Sequence, residues 1–197
     1  MMIRLGITGG IGSGKSFVSQ RLLAMGVPVY DTDSCARRLM TESEVLRDSL
    51  KELVGEGVYL PDGQLNRPFL AAYLFADPSH TSAVNARVHP CVREDFRQWC
   101  CRQTAPVVAM ECAILYESGF DTEVDRVLMV SAPWELRLRR AVERDHTTEE
   151  QVRLRMAAQW DDDEKCRRAD YVVMNDGIQE VDTQLEHFLQ TLKERKE

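Results

Sequence analysis

The stretch IRLGITGGIGSGKS, residues 3–16, decides the fold of this 197-residue chain. Residues 3–8 form a short, mostly apolar run bounded by glycine, which predicts a buried strand, and a helix is predicted from about residue 14 to residue 25. Between them, residues 9–16 satisfy the phosphate-loop pattern G-x-x-x-x-G-K-[ST], in the strand-to-helix context that the pattern requires. The segment therefore predicts nucleotide binding, and a glycine-rich structural turn is the alternative.

The loop offers three kinds of ligand to a triphosphate. Its glycines permit positive φ and bring bare amides against phosphate oxygens, and the helix that follows directs its positive dipole end at the same anion. We expect Lys15 to reach the β- and γ-phosphates and the Ser16 hydroxyl to ligate Mg²⁺. Phe17 is expected to contribute only its backbone N–H. The predicted ATP-binding residues of the loop are Gly10, Ile11, Gly12, Ser13, Gly14, Lys15, Ser16 and Phe17.

Four more apolar runs predict the other strands of a sheet. They are residues 27–30, 107–110, 127–130 and 171–174. Helical patterns follow them, and strands that alternate with helices predict an α/β fold with a parallel five-stranded sheet flanked by helices. The last helix is amphipathic and lies near the carboxyl terminus.

Two stretches interrupt this alternation. Residues 35–104 show helix-like patterns and a turn at 61–63, and residues 141–167 are dense in charge. We interpret the first as a helical acceptor-binding insertion and the second as a mobile helical lid, for which helical decoration of the core is the alternative. The nucleotide-binding core then comprises residues 1–34, 105–140 and 168–197.

The composition excludes several classes of protein. A formal net charge of −7 disfavours a general nucleic-acid binder, and no stretch approaches the roughly 20 apolar residues that cross a bilayer. The six cysteines lack C-x-x-C spacing, which favours reduced thiols over a metal or redox role. We expect a globular cytoplasmic protein, a monomer or weak oligomer, with no nucleic-acid or membrane partner.

Two carboxylates follow the second predicted strand. Asp31 and Asp33 lie two residues apart, so on extended backbone they share a face at the crevice where α/β sheets bind ligands. A carboxylate there can orient a hydroxyl nucleophile and accept its proton in phosphoryl transfer. The alternative is a helix cap, with Asp33 as the N-cap residue, and both roles can coexist. The chain has no N-K-x-D element, so a small-molecule kinase is favoured over a GTPase.

Other polar residues have two interpretations each. Arg140 and Arg144 are one helical turn apart, where they can bind phosphate or pair with neighbouring acids. Glu111 ends the third apolar run, and it is either a carboxylate near the water shell of Mg²⁺ or a buried, hydrogen-bonded acid.

The long insertion carries two further candidates. His89 precedes Pro90, and it either binds the acceptor or marks a break before the next helix. Arg67 follows the turn at 62–63, and it either pairs with phosphates of the acceptor or forms a surface ion pair.

Short motifs along nearly the whole chain resemble the dephospho-CoA kinase family. None of these pieces is diagnostic alone, and their order and spacing carry the resemblance. They are ITGGIGSGKS with Gly26, Val29, Asp31 and Asp33, then Asp62-Gly63-x-Leu65-x-Arg67, His89-Pro90, Ile114-Leu115-Tyr116-Glu117, Leu138-x-Arg140 with Arg144, Gln159, Ala169-Asp170 and Asn175-x-Gly177.

The resemblance implies transfer of the ATP γ-phosphoryl group to the 3′-hydroxyl of dephospho-CoA, with Mg²⁺ as cofactor. It implies that Asp33 is the general base and that Asp31 supports it. It also implicates Arg67 and His89 at the acceptor, Arg140 in the lid, and Asn175 and Gly177 beside the adenine of ATP.

Two positions depart from the family pattern. Phe17 stands where the family commonly has Thr, and Ala113 stands where it commonly has Pro.

Another small-metabolite kinase and a nucleotide-sensing module without catalysis are the alternative functions. The intact Lys15, Ser16 and Asp33 argue against the second of these.

Overall fold

The computed structural model describes residues 2–194, and the chain divides into two compact units. One unit contains the residues up to Tyr30 together with those from Gln103 onward, and the other is Asp31–Arg102. Among the described residues, no helix is both long enough and apolar enough to cross a bilayer. Each unit has its own helices.

A five-stranded sheet forms the centre of the first unit. Its strands are β1 (Ile3–Thr8), β2 (Val29–Asp31), β3 (Val107–Glu111), β4 (Arg126–Ser131) and β5 (Tyr171–Met174), in the spatial order β2-β3-β1-β4-β5. β1 pairs in parallel with β3 and with β4, and β4 pairs in parallel with β5. The predicted parallel α/β sheet is confirmed.

Helices connect and cover these strands. They are α1 (Lys15–Ala24), α6 (Trp134–Asp145), α7 (Glu149–Ala157), α8 (Asp162–Arg168) and α9 (Val181–Glu194). The apolar runs of the strands and one face each of α1 and α9 share a single core, in which Leu5, Ile7, Leu22, Leu128 and Leu185 are fully buried. The amphipathic terminal helix predicted from the sequence is α9.

The second strand begins two residues later than its apolar run. Val27 N–H donates to Leu22 O, 3.0 Å away, and so completes the end of α1 before the strand starts. Pro28 has no N–H, but its carbonyl accepts a bond of 2.8 Å from Ala109 of β3. The ladder therefore forms from Pro28 onward, and β2 is short.

The second unit is helical. It contains α2 (Thr32–Glu42), α3 (Glu44–Val54), α4 (Arg67–Ala76) and α5 (Pro78–Cys101), with a 3-10 turn at Glu56–Val58. α5 packs against the other three helices through Val84, Val88, Val92 and Phe96, which recur every four residues along one face. The expected turn at 61–63 is present, and an antiparallel bridge joins Tyr59 and Leu65 beside it.

Two of the alternatives left open by the sequence are wrong for this unit. Pro90 does not mark a break, because α5 continues through it and buries apolar side chains on both sides while Pro90 itself is exposed. Asp33 is not the N-cap of α2. Asp31 is, since its carboxylate accepts the N–H groups of Asp33 and Ser34 at 3.0 and 3.3 Å.

Candidate active site

The phosphate loop lies between β1 and α1. Gly12 and Gly14 have φ of 77° and 93°, a region that glycine enters without steric cost, and Gly14 directly precedes the first turn of α1. A turn closed by Ser13 N–H to Gly10 O at 3.1 Å completes the loop. The expected geometry of an anion-binding loop at a helix N-terminus is therefore present.

Lys15 lies across this loop. Its Nζ donates to the carbonyl oxygens of Gly9 and Gly10 at 2.9 and 3.3 Å. These bonds place the ammonium within the ring of loop residues, where it can neutralise phosphate charge.

Ser16 and Glu111 meet beside the loop. The Ser16 hydroxyl donates to Glu111 Oε1 at 2.9 Å, and Glu111 ends β3 directly opposite Ile7 of β1. Carboxylate and hydroxyl oxygens suit Mg²⁺, which usually combines one or two protein ligands with substrate phosphates and water. Among residues 2–194, no three or more His, Cys, Asp or Glu side chains form a cluster that could hold a metal ion alone. This pair fits an ion that is shared with a nucleotide.

The helix α6 presents arginines to the loop. Arg137, Arg140 and Arg144 are spaced so that they share one face of α6. Arg140 donates to the main-chain oxygen of Asn175 at 2.9 Å, whereas Arg144 pairs with Asp145 at 2.7 Å, as the ion-pair alternative expected. A cavity of about 220 Å³ is lined by Gly12, Gly14, Lys15, Ser16, Phe17, Arg140 and Arg144.

A second cavity, of about 290 Å³, adjoins the start of α1. Phe17, Asn175 and Gly177 line it together with Arg21 and residues 178–182. The buried Asn175 amide donates to Ser13 O at 2.8 Å, which ties the segment after β5 to the phosphate loop. The Phe17 ring is 47% exposed. Its side chain therefore contributes to the cavity walls, beyond the backbone contact expected from sequence.

A buried ion pair fixes the chain after β3. Lys165 is fully buried, and its Nζ lies 2.7 Å from Glu117 Oε1 and 3.2 Å from Ala113 O. Glu117 Oε1 also accepts the N–H of Trp160 at 3.0 Å. Residues 113–117 are thus bound to the segment that opens α8. Here Lys165, rather than a proline at position 113, holds the local backbone.

Sequence reasoning gave no role to Arg137 or Gln159, although both contact the phosphate loop. Arg137 donates to Ile11 O at 3.0 Å, and Gln159 accepts the Ile11 N–H at 3.0 Å. The three-residue spacing between Arg137 and Arg140 could have indicated that Arg137 faces the same loop. Gln159 was noted only as one of the motifs in the family resemblance.

The remaining candidates belong to the helical unit 31–102. Asp33 is exposed in the first turn of α2, and within this unit its carboxylate accepts no hydrogen bond. Arg67 is exposed at the start of α4 and forms no ion pair within the unit, which does not favour the surface ion-pair alternative. His89 is partly buried on α5, and burial together with the charge of Arg93 lowers the pKa of His89 below 6.5. Both effects favour the neutral imidazole.

A parallel sheet, a phosphate loop between β1 and α1, and arginines that face this loop define a P-loop kinase, an ATP-dependent phosphotransferase. Residues 3–180 match the family model described as dephospho-CoA kinase.

Known proteins agree with this match. A dephospho-CoA kinase of Bacteroides fragilis strain YCH46 is 51% identical over 90% of this chain and 86% of its own length. One of Porphyromonas gingivalis is 40% identical over 99% and 96%. A crystal structure of a Thermus thermophilus protein superposes with a TM-score of 0.84 at 38% identity, covering 97% of this chain and 98% of that one.

The chain belongs to the dephospho-CoA kinase family. Its activity is transfer of the γ-phosphoryl group of ATP to the 3′-hydroxyl of dephospho-CoA, which gives CoA and ADP in the final step of coenzyme A biosynthesis. The function inferred from the ordered motifs is confirmed.

Proposed function

We propose that the 220 Å³ cavity at the phosphate loop is where the triphosphate of ATP binds and reacts. The proposal rests on one observation, which is that Lys15, the Ser16–Glu111 pair and Arg140 all lie at this loop. The backbone N–H groups of Gly12 and of residues 14–17 bind the phosphates, whereas those of Ile11 and Ser13 are bonded to Gln159 and Gly10. Lys15 and Arg140 stabilise the negative charge that spreads over the transferred group. Catalysis then consists mainly of positioning and charge neutralisation.

Mg²⁺ is the metal that this oxygen-lined site favours. Ser16 would hold it directly, and Glu111 would hold its water shell. When bound, the ion neutralises phosphate charge and fixes the orientation of the β- and γ-phosphates. We expect a chelator to abolish activity. Adding Mg²⁺ should restore it, and adding Ca²⁺ should not.

The nucleoside of ATP is assigned to the 290 Å³ cavity beside α1. Asn175, Gly177 and Phe17 all line this cavity. An exposed aromatic ring offers a flat apolar surface to a purine. The hydrogen bond from Asn175 to Ser13 fixes the position of the nucleoside cavity relative to the loop that binds the phosphates.

The acceptor is assigned to the helical insertion, residues 35–104, with Arg67 and His89 as its contacts and Asp31 and Asp33 at its start. Asp33 acts as the general base, because Asp31 is occupied as the helix cap while the carboxylate of Asp33 is exposed. Within residues 141–167, the part before Gln159 acts as the lid, because Trp160 and Lys165 are bonded to Glu117. A cytoplasmic location is part of the proposal, since six reduced cysteines suit a reducing compartment.

Asp33→Asn tests the assignment of the base. We expect turnover of ATP with dephospho-CoA to fall about 10²-fold or more, with ATP affinity nearly unchanged. The matched control is Asp48→Asn, which changes an exposed acid of the same unit whose carboxylate is 3.9 Å from Lys51. Turnover of Asp33→Asn equal to that of this control would remove Asp33 from the role of base.

A further inference from the structure

Ile11, at the tip of the phosphate loop, has both of its main-chain polar groups bonded to distant side chains. Its N–H donates to Gln159 Oε1 at 3.0 Å, and its carbonyl accepts from Arg137 Nε at 3.0 Å. Neither side chain belongs to the loop or to α1. A glycine-rich loop has little conformational preference of its own, so these two bonds select one conformation of its tip.

Arg137 is in turn held by Asp162. The Arg137 guanidinium is buried, and it forms an ion pair with the partly buried carboxylate of Asp162. Both groups lie directly against Gly10, where a Cβ atom would collide with the guanidinium and lie 2.7 Å from Asp162 Oδ1. The φ of Gly10 is not positive. A side chain at position 10 would therefore have to displace the end of the Arg137 side chain and the carboxylate of Asp162.

The segment that contains Gln159 and Asp162 is held by a helix cap and an ion pair. Asp162 opens α8, and Asp161 caps that helix by accepting the N–H of Asp163 at 2.8 Å. Lys165 of the same helix is held by Glu117, which also accepts the N–H of Trp160. The residues on either side of Trp160 are thus anchored to the core of this unit and can hold the loop in place.

We propose that Arg137, Gln159 and Asp162, which we call the loop clamp, are positioning residues for the phosphoryl transfer. They hold the tip of the phosphate loop so that the following amides already have the geometry that binds a triphosphate. Pre-organising a binding loop removes part of the ordering cost of association. The inference rests on the proposed function, in which these amides bind the phosphates of ATP.

The loop clamp is tested with Arg137→Met, Asp162→Asn, the double variant and Gln159→Met. We expect Arg137→Met to raise KM for ATP about tenfold, with KM for dephospho-CoA within about twofold of wild type. The double variant should be less impaired than the product of the two single effects, because both act through one ion pair. Arg137→Lys, which keeps the charge, should recover part of the loss. The matched control is Arg139→Met, exposed on the same helix.

If these residues only stabilise the fold, the variants should have a lower active fraction and a lower kcat, with KM for ATP and KM for dephospho-CoA unchanged. The ratio of KM for ATP to KM for dephospho-CoA therefore distinguishes a positioning role from a folding defect. Equal KM for ATP in Arg137→Met and Arg139→Met would overturn the inference. If Arg137→Met does not fold, Asp162→Asn and Gln159→Met decide, and wild-type KM for ATP in both would overturn it. Lys15→Ala is measured in parallel. Unchanged ATP affinity in that variant would reject the proposed site and the loop clamp together, whereas failure of the clamp variants alone leaves the site standing.

Discussion

Replacing Gly12 by alanine tests how tightly the phosphate loop is packed against α6. Gly12 has φ of 77°, which costs an alanine about 1–2 kcal/mol. The new Cβ would also collide with the carbonyl oxygen of Arg137 and lie 2.7 and 2.9 Å from its carbonyl carbon and Cα. Because these are backbone atoms of a helix, they cannot rotate away, and overpacking adds about 1–3 kcal/mol. We expect the free energy of unfolding to fall by about 2–5 kcal/mol.

The matched control for this change is Gly26→Ala. Gly26 has a similar φ of 84°, but a Cβ there meets nothing within 4 Å, so only the cost of the backbone conformation applies. Any stabilisation from lower chain entropy in the unfolded state is shared by both variants and cancels in their difference. Urea unfolding followed by tryptophan fluorescence gives both values. A difference below about 0.5 kcal/mol would refute the close approach of Gly12 to α6.

Two further predictions concern buried ionisable groups. Because burial lowers the pKa of His89, the unfolded chain binds more protons than the folded chain as the pH falls below 6.5, and the free energy of unfolding decreases there. Between about pH 7.5 and about pH 5.5, the wild type should lose more stability than His89→Gln, and equal losses would contradict the burial of this imidazole. Lys165→Met leaves the carboxylate of Glu117 buried without its cation, and it should cost about 3–5 kcal/mol in urea unfolding. Lys51→Met, at a surface pair of 3.9 Å, should cost less than about 1 kcal/mol, and a similar loss in both variants would argue against a buried pair at Lys165.

Local sequence patterns were sufficient for the sheet and the phosphate loop. A strand that is buried on both faces needs a continuous apolar run, and each of the five runs became a strand because few other arrangements bury it. The ends were harder to place. β2 starts late because Val27 completes α1, and such a choice between two hydrogen-bond partners depends on neighbours that are distant in sequence.

The errors and omissions share a physical cause, which is tertiary packing. Proline usually ends a helix, but the apolar face of α5 on both sides of Pro90 outweighs its local cost. A buried arginine such as Arg137 is rare, so its sequence position gave no reason to assign it a buried contact. Its partner Asp162 lies in another helix, and no local spacing links the two residues.

β1 leaves the ribosome before the other four strands of the sheet, yet it lies in the middle of the finished sheet, between β3 and β4. Both neighbours follow the helical unit 31–102 in the chain, so the nascent strand waits while roughly 100 residues are translated, on the order of 5–20 s. The helical unit depends on contacts that are local in sequence, and we expect it to fold during that interval. The phosphate loop is thus translated before the helical unit, and it reaches its final form only after β3 and β4 have been added.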